Sequence, residues 1–161
     1  MASDDEKIKF IADEMLGKLA KWLRTLGYNT VYYTDKGDNG LVQKALEENR
    51  IILTRDTHLA ERKLARKCLL IRSDNFWEQF EQVIKELDLD MKSKLFTRCL
   101  VCNSKLISVE KDSIKDQIPE YTYQTQTTFY RCLNCGRIYW SGTHKDSMVE
   151  LINSLEYRID S

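Results

Sequence analysis

Up to about residue 90 the chain alternates short apolar runs with stretches whose apolar positions recur at helical spacing. Ile8, Phe10 and Ala12 share one face of a strand over residues 7–13. From Glu14, the residues Met15, Leu16, Leu19, Trp22, Leu23 and Leu26 keep helical periodicity as far as Gly27, a residue suited to a helix stop. Residues 30–34 are β-branched and aromatic and read as a second strand. A polar, glycine-bearing loop over 36–40 leads to a helix over 41–48, with Leu41, Val42, Ala45 and Leu46 as its apolar face. Ile51–Thr54 is nearly all apolar, as expected of a strand covered on both sides. A helix over 57–66, a strand over 67–71 and a helix over 75–87 complete the series, the last with Phe76, Phe80, Val83, Ile84 and Leu87 on one stripe. Strands alternating with helices at these spacings predict the α/β class, with a parallel sheet flanked by helices and right-handed crossovers.

Past residue 90 the rhythm changes. Residues 88–94 are charged and weakly patterned, the composition of a linker. Strand-like pieces follow at 127–131 and 137–141, then an amphipathic helix over 145–155 carrying Met148, Leu151, Ile152 and Leu155. We therefore expect two domains, 7–90 and 95–157, the second ending in that helix.

Composition narrows the class. The chain has 161 residues, 42% hydrophobic and 31% charged, with one proline and a formal net charge of zero. A nucleic acid would have to be held by a local basic patch and not by overall charge. No apolar run approaches the roughly 20 residues of a membrane-spanning helix. The acidic, polar start lacks the apolar core of a signal peptide, so the expected location is cytoplasmic and thiol-reducing.

In such a compartment the five cysteines do not suggest disulfides. Cys68 sits in an apolar run and reads as a buried, inert thiol. The other four form two Cys-x-x-Cys pairs, Cys99/Cys102 and Cys132/Cys135, with 29 residues between them. Each pair can wrap a turn that points two thiolates at one ion, and Gly136 frees the second turn. Two such turns make the closed tetrahedral shell of one structural zinc ion. The gap exceeds the usual template, a length that hairpin insertions in such modules accommodate. A redox dithiol is the rival reading, weakened by there being two matched pairs.

Four predicted strands each end in an aspartate: Asp13, Asp35, Asp56 and Asp74. In a parallel sheet all four emerge at the carboxyl edge, where open α/β sheets bind ligands. Any one of them can simply cap the helix that follows. Together they repel unless a cation lies between them, and hard oxygen ligands suit Mg²⁺ or Mn²⁺. Phosphodiester hydrolysis is the chemistry expected of such a site. Nearby, Lys18, Lys21 and Arg24 line the first helix, Arg55 precedes Asp56, and Arg62, Lys63, Arg66 and Lys67 mark the third. Arg24 and Arg55 are the better phosphate ligands, since a guanidinium fork matches phosphate geometry. His58 and His144 are the two histidines; His58 lies near Asp56 but reads as an exposed helix-start residue. In the second domain Tyr121, Tyr123, Phe129, Tyr130, Tyr139 and Trp140 could stack on bases, though strand alternation assigns at least half of them to packing.

The stretches Phe10–Gly27, Arg50–Asp56 and Arg72–Asp74, taken with the two Cys-x-x-Cys pairs, resemble the Mut-seven C-terminal RNase family over about residues 8–141. The resemblance implies a PIN-like nuclease domain followed by a zinc ribbon, and a Mg²⁺- or Mn²⁺-dependent ribonuclease acting on RNA. It implies catalytic metal ligands at Asp13, Asp56 and Asp74, with a middle acid in the loop before the second helix. Asp38 is favoured there over Asp35, in a loop less acidic than the family pattern, and the number of catalytic ions stays open at one or two. RNA-processing proteins are further candidate partners. Two other classes compete. One is a catalytically idle zinc-ribbon adaptor that binds RNA or protein; the other is a phosphotransfer receiver, which needs a fifth strand and a lysine after it.

Overall fold

The computed structural model describes residues 7–35, 37–61 and 67–160. The chain divides into two compact units, the first ending at Asn103 and the second starting at Ser104.

In the first unit β1 (Lys9–Ala12), β2 (Asn29–Tyr32), β3 (Ile51–Thr54) and β4 (Cys68–Leu70) lie parallel in the order β2-β1-β3-β4. The connecting helices are α1 (Gly17–Thr25), α2 (Asp38–Glu48) and α3 (Thr57–Ala60), and α4 (Phe76–Leu87) follows β4. This is the predicted α/β sheet. Ile11 and Ile52 project to one face, where Leu41, Val42, Ala45 and Leu59 of α2 and α3 cover them. Their neighbours Phe10, Ala12 and Leu53 are also fully buried, so the central strands are covered on both sides. Trp22 of α1 meets Phe80 of α4 with ring centroids 5.7 Å apart.

Differences from expectation are local. The first helix begins with a 3-10 turn at Glu14–Leu16 before α1 proper. The second begins at Asp38, three residues early, so Asp38 stands in its first turn and not in a loop. α3 covers Thr57–Ala60; Lys36, Arg62, Lys63 and Arg66 lie outside the described residues.

Residues 88–94 do not form an exposed linker. Asp88, at φ 49°, closes α4, after which Leu89 and Met91 bury their side chains in the first unit. Tyr28 Oη donates to the Asp90 carbonyl at 3.0 Å. Gly27, at φ 99°, passes so close that an added Cβ would stand 2.4 Å from the Lys94 carbonyl oxygen. Gly27→Ala should therefore cost more than about 1 kcal/mol, combining the positive φ with a backbone collision. Urea unfolding checks this, and an unchanged midpoint would mean that the turn can open at no cost.

The second unit holds an antiparallel sheet in the order β5 (Leu106–Val109), β6 (Phe129–Cys132), β7 (Ile138–Trp140). Between β5 and β6 the insertion forms a 3-10 helix (Lys111–Gln117) and α5 (Glu120–Thr125), which periodicity alone did not predict. α6 (Thr143–Asp160) buries Met148, Ile152 and Leu155. Among the described residues no helix is long and apolar enough to cross a membrane.

Candidate functional site

The crossover from β1 leads to β2 on one side, and that from β3 leads to β4 on the other. The switch point thus lies between the carboxyl ends of β1 and β3, where such sheets open a crevice. Asp13 and Asp56 leave the sheet there. Asp13 N–H still donates to Leu53 O at 3.2 Å, extending the strand pairing by one residue.

Thr54 joins the two aspartates. Its fully buried hydroxyl donates to Asp13 Oδ2 at 2.5 Å and accepts from the Asp56 backbone N–H at 3.0 Å. The other Asp13 oxygen, Oδ1, accepts from Met15 N–H at 3.0 Å. Asp56 Oδ1 accepts from His58 N–H at 2.8 Å and Leu59 N–H at 3.4 Å. Both acids therefore do cap helical turns, and each does so through one oxygen. Cys68 is half-buried and not fully buried as expected; desolvation pushes its thiol up to about 11, with the negative charge of Asp13 adding to the effect.

Thr54 was missed in the sequence, although its position two before Asp56 was the available signal. Removing its hydroxyl deletes a hydrogen bond to a charged group, an effect of about 1.5–3 kcal/mol in general. Thr54→Val should move the urea midpoint accordingly, and Thr54→Ser should restore most of the loss. Equal midpoints for the threonine and valine proteins would show that the bridge is energetically idle.

Asp74 is exposed and lines an open cleft of about 640 Å³ with Arg55, Arg72, Ser73, Glu78 and Gln82. Two buried glutamines of α4 position this segment. Gln79 Nε2 donates to Ser73 O at 2.9 Å, while Gln82 Nε2 donates to Leu70 O at 2.8 Å and Gln82 Oε1 accepts from Arg72 N–H at 3.1 Å. They too were missed, being polar residues flanking an apolar stripe. Asp38 and Asp35 are exposed beside β2. Tyr33 N–H bonds to Ala12 O at 2.9 Å, and an added Cβ on Gly40 would meet Tyr33 Oη at 2.1 Å, so the first turn of α2 stands close to the β1 end. Among the described residues no three acids are gathered within ligand range of one another; the group that is gathered consists of cysteines.

The basic residues separate into two kinds. Lys18 and Lys21 are exposed on α1. Arg55 is half-buried, and its Nε is buried without a partner. Arg24 requires a correction. It is 9% exposed, and its guanidinium donates to Thr30 O at 2.9 Å, Leu100 O at 2.9 Å and Val101 O at 3.2 Å. A side chain spent on three carbonyls within the fold is not available to a phosphate. His58 is exposed, and the side chain of His144 lies outside the described residues.

The Sγ atoms of Cys99, Cys102, Cys132 and Cys135 all lie within 4.8 Å of one another. The two turns are built alike. Asn103 N–H donates to Cys99 O at 2.9 Å and Gly136 N–H to Cys132 O at 2.8 Å, with both donors at positive φ, 73° and 79°. Sequence reading anticipated the glycine but not the asparagine, which tolerates the left-handed region next best. Four converging thiols of this kind can hold a zinc ion.

Residues 8–152 match the family model described as Mut7-C RNAse domain. The chain belongs to the Mut7-C RNAse domain family. Asp13, Asp38, Asp56, Asp74 and the four cysteines all fall within the matched stretch. No curated protein matches the chain.

Proposed function

We propose that this protein is a divalent-metal-dependent ribonuclease, with a PIN-like nuclease domain (7–90) and a zinc ribbon (95–157) that steadies the fold or holds RNA. The single observation that carries the reading is the Asp13–Thr54–Asp56 bridge at the switch point of a parallel sheet, in a chain of an RNase family. Asp13, Asp56 and Asp74, with Asp38 in the first turn of α2, would hold Mg²⁺ or Mn²⁺. Such an ion polarises a phosphoryl oxygen and acidifies water. It commonly takes one or two carboxylates with waters filling the rest, which suits aspartates that lie near one another without touching.

The protein's own groups do the rest. Thr54 ties the Asp13 carboxylate to the backbone that carries Asp56. The half-buried Arg55, beside Asp74 and with its Nε unpartnered, would turn its guanidinium to a phosphate oxygen. Lys18 and Lys21 add positive charge on α1. In the reaction a water oxygen bonds to phosphorus, one P–O ester bond breaks, and the leaving ribose oxygen takes a proton. The four cysteines would hold one structural zinc ion, closed to chemistry. RNA is the proposed partner, with the cytoplasm as the proposed location.

The test is incubation of labelled single-stranded and hairpin RNA with the purified protein, with and without Mn²⁺. Shortened products that depend on Mn²⁺ support the reading. A second reading, a catalytically idle RNA- or protein-binding adaptor, draws on there being no three acids gathered within ligand range among the described residues. Salt-dependent RNA binding without Mn²⁺-dependent cleavage would favour it.

A further inference from the structure

Helices that follow parallel strands start at the same edge of the sheet as the acids. Lys18 is the second residue of α1, and Phe76 and Trp77 are the first two of α4. The aromatic cluster they belong to is divided. Trp22 and Phe80 are buried at 7% and 0% exposure and pack α1 on α4. Phe76 and Trp77 are only half-buried, with ring centroids 4.8 Å apart at an interplanar angle of 63°. Trp77 also rests edge-on against Trp22 at 5.5 Å, so its indole is braced from behind. Phe76 stacks on Phe80 with centroids 5.6 Å apart, and the exposed Lys18 lays its ammonium 4.6 Å from the Phe76 ring centroid, so an exposed, displaceable side chain covers this ring. Lys21 is exposed less than one turn further along α1.

A braced aromatic corner with exposed ammonium groups beside it suits one kind of guest: a flat π-system carrying negative charge nearby. We propose that Phe76 and Trp77, with Lys18 and Lys21, form a stacking platform for an unpaired base of single-stranded RNA beside the acidic rim. The Lys18 ammonium occupies the ring face in the free protein and passes to a phosphate when a base takes its place. Bases in a duplex are already stacked and paired, so the platform selects single strands. The proposal rests on the ribonuclease reading only for its use in feeding that rim; stacking itself requires no cleavage.

The experiment is fluorescence anisotropy of labelled 12-nucleotide oligouridine and of a blunt RNA duplex, using the full chain without added Mg²⁺ or Mn²⁺. Trp77→Leu should weaken single-strand binding about tenfold and leave duplex binding unchanged, while Trp77→Phe should retain most of the affinity. Lys21→Ala should lower the salt slope of binding by about one. Oligouridine should also quench tryptophan fluorescence, and Trp77→Phe should remove that quenching, a readout that survives if the leucine protein folds poorly. Unchanged single-strand affinity in Trp77→Leu, or equal weakening for duplex and single strand, overturns the platform. Trp77-dependent binding without cleavage by the wild type would keep the platform and remove the nuclease reading. Cleavage lost in Asp56→Asn alongside Trp77-independent binding would do the reverse.

Discussion

On the proposed ribonuclease reading, Asp56→Asn should lower Mn²⁺-stimulated RNA cleavage by roughly 10²–10³-fold, because a divalent ion contributes several kcal/mol of charge stabilisation and each 1.4 kcal/mol is a factor of ten. The same change should move the melting temperature by no more than about 2 °C. Asp56 caps α3 through Oδ1 alone, and asparagine offers the same carbonyl acceptor to His58 and Leu59 N–H. The substitution thus separates the two roles an aspartate can have at this position: it keeps the cap and removes the charge. Single-turnover cleavage with a thermal melt on the same sample decides the matter. Cleavage unchanged by the substitution would leave Asp56 as a helix cap. A melting point lowered by many degrees would make lost activity a folding effect.

Withdrawal of zinc should have the largest effect on stability. The described core of the second unit is small, built mainly from Ile114, Phe129, Met148, Ile152 and Leu155. Units of this size rarely hold together on apolar burial alone and usually need a staple. A four-thiolate zinc site supplies about 10–16 kcal/mol of apparent binding energy, comparable with the whole stability of an ordinary domain. Elemental analysis should find one zinc per chain, and a strong chelator should remove it together with the amide protection of β6 and β7. Cys132→Ser should do the same without a chelator. If metal-free protein keeps that protection, the cysteines are not a structural staple. Thiolates must be deprotonated to bind, so zinc release should become easier as pH falls.

Much of this was legible in the residues. The parallel sheet followed from apolar runs alternating with helical periodicity, and strands β1 to β4 fall within one or two residues of expectation. Both Cys-x-x-Cys turns were visible because their ligands are adjacent in sequence and local geometry closes each pair. The insertion between β5 and β6 was not legible, because two short helical pieces of three turns or fewer carry too little periodicity. The role of Arg24 was misread for a different reason. Its place on the helix beside two lysines suggested solvent, but three carbonyls that need a donor come from β2 and from residues 100 and 101.

By itself the sequence determined the strands and helices of the first unit, their order, and that an aspartate follows each strand within a few residues. Those facts depend on backbone periodicity and on residues a few positions apart. Only the tertiary structure decided that β3 lies beside β1, and therefore that Thr54 reaches across to Asp13 and braces Asp56. It likewise decided that Arg24 turns inward and that residues 88–94 pack against Gly27 and Tyr28. The physical reason is common to all three: a side chain's partners across strands are set by strand order and helix placement, and local patterning carries no record of either.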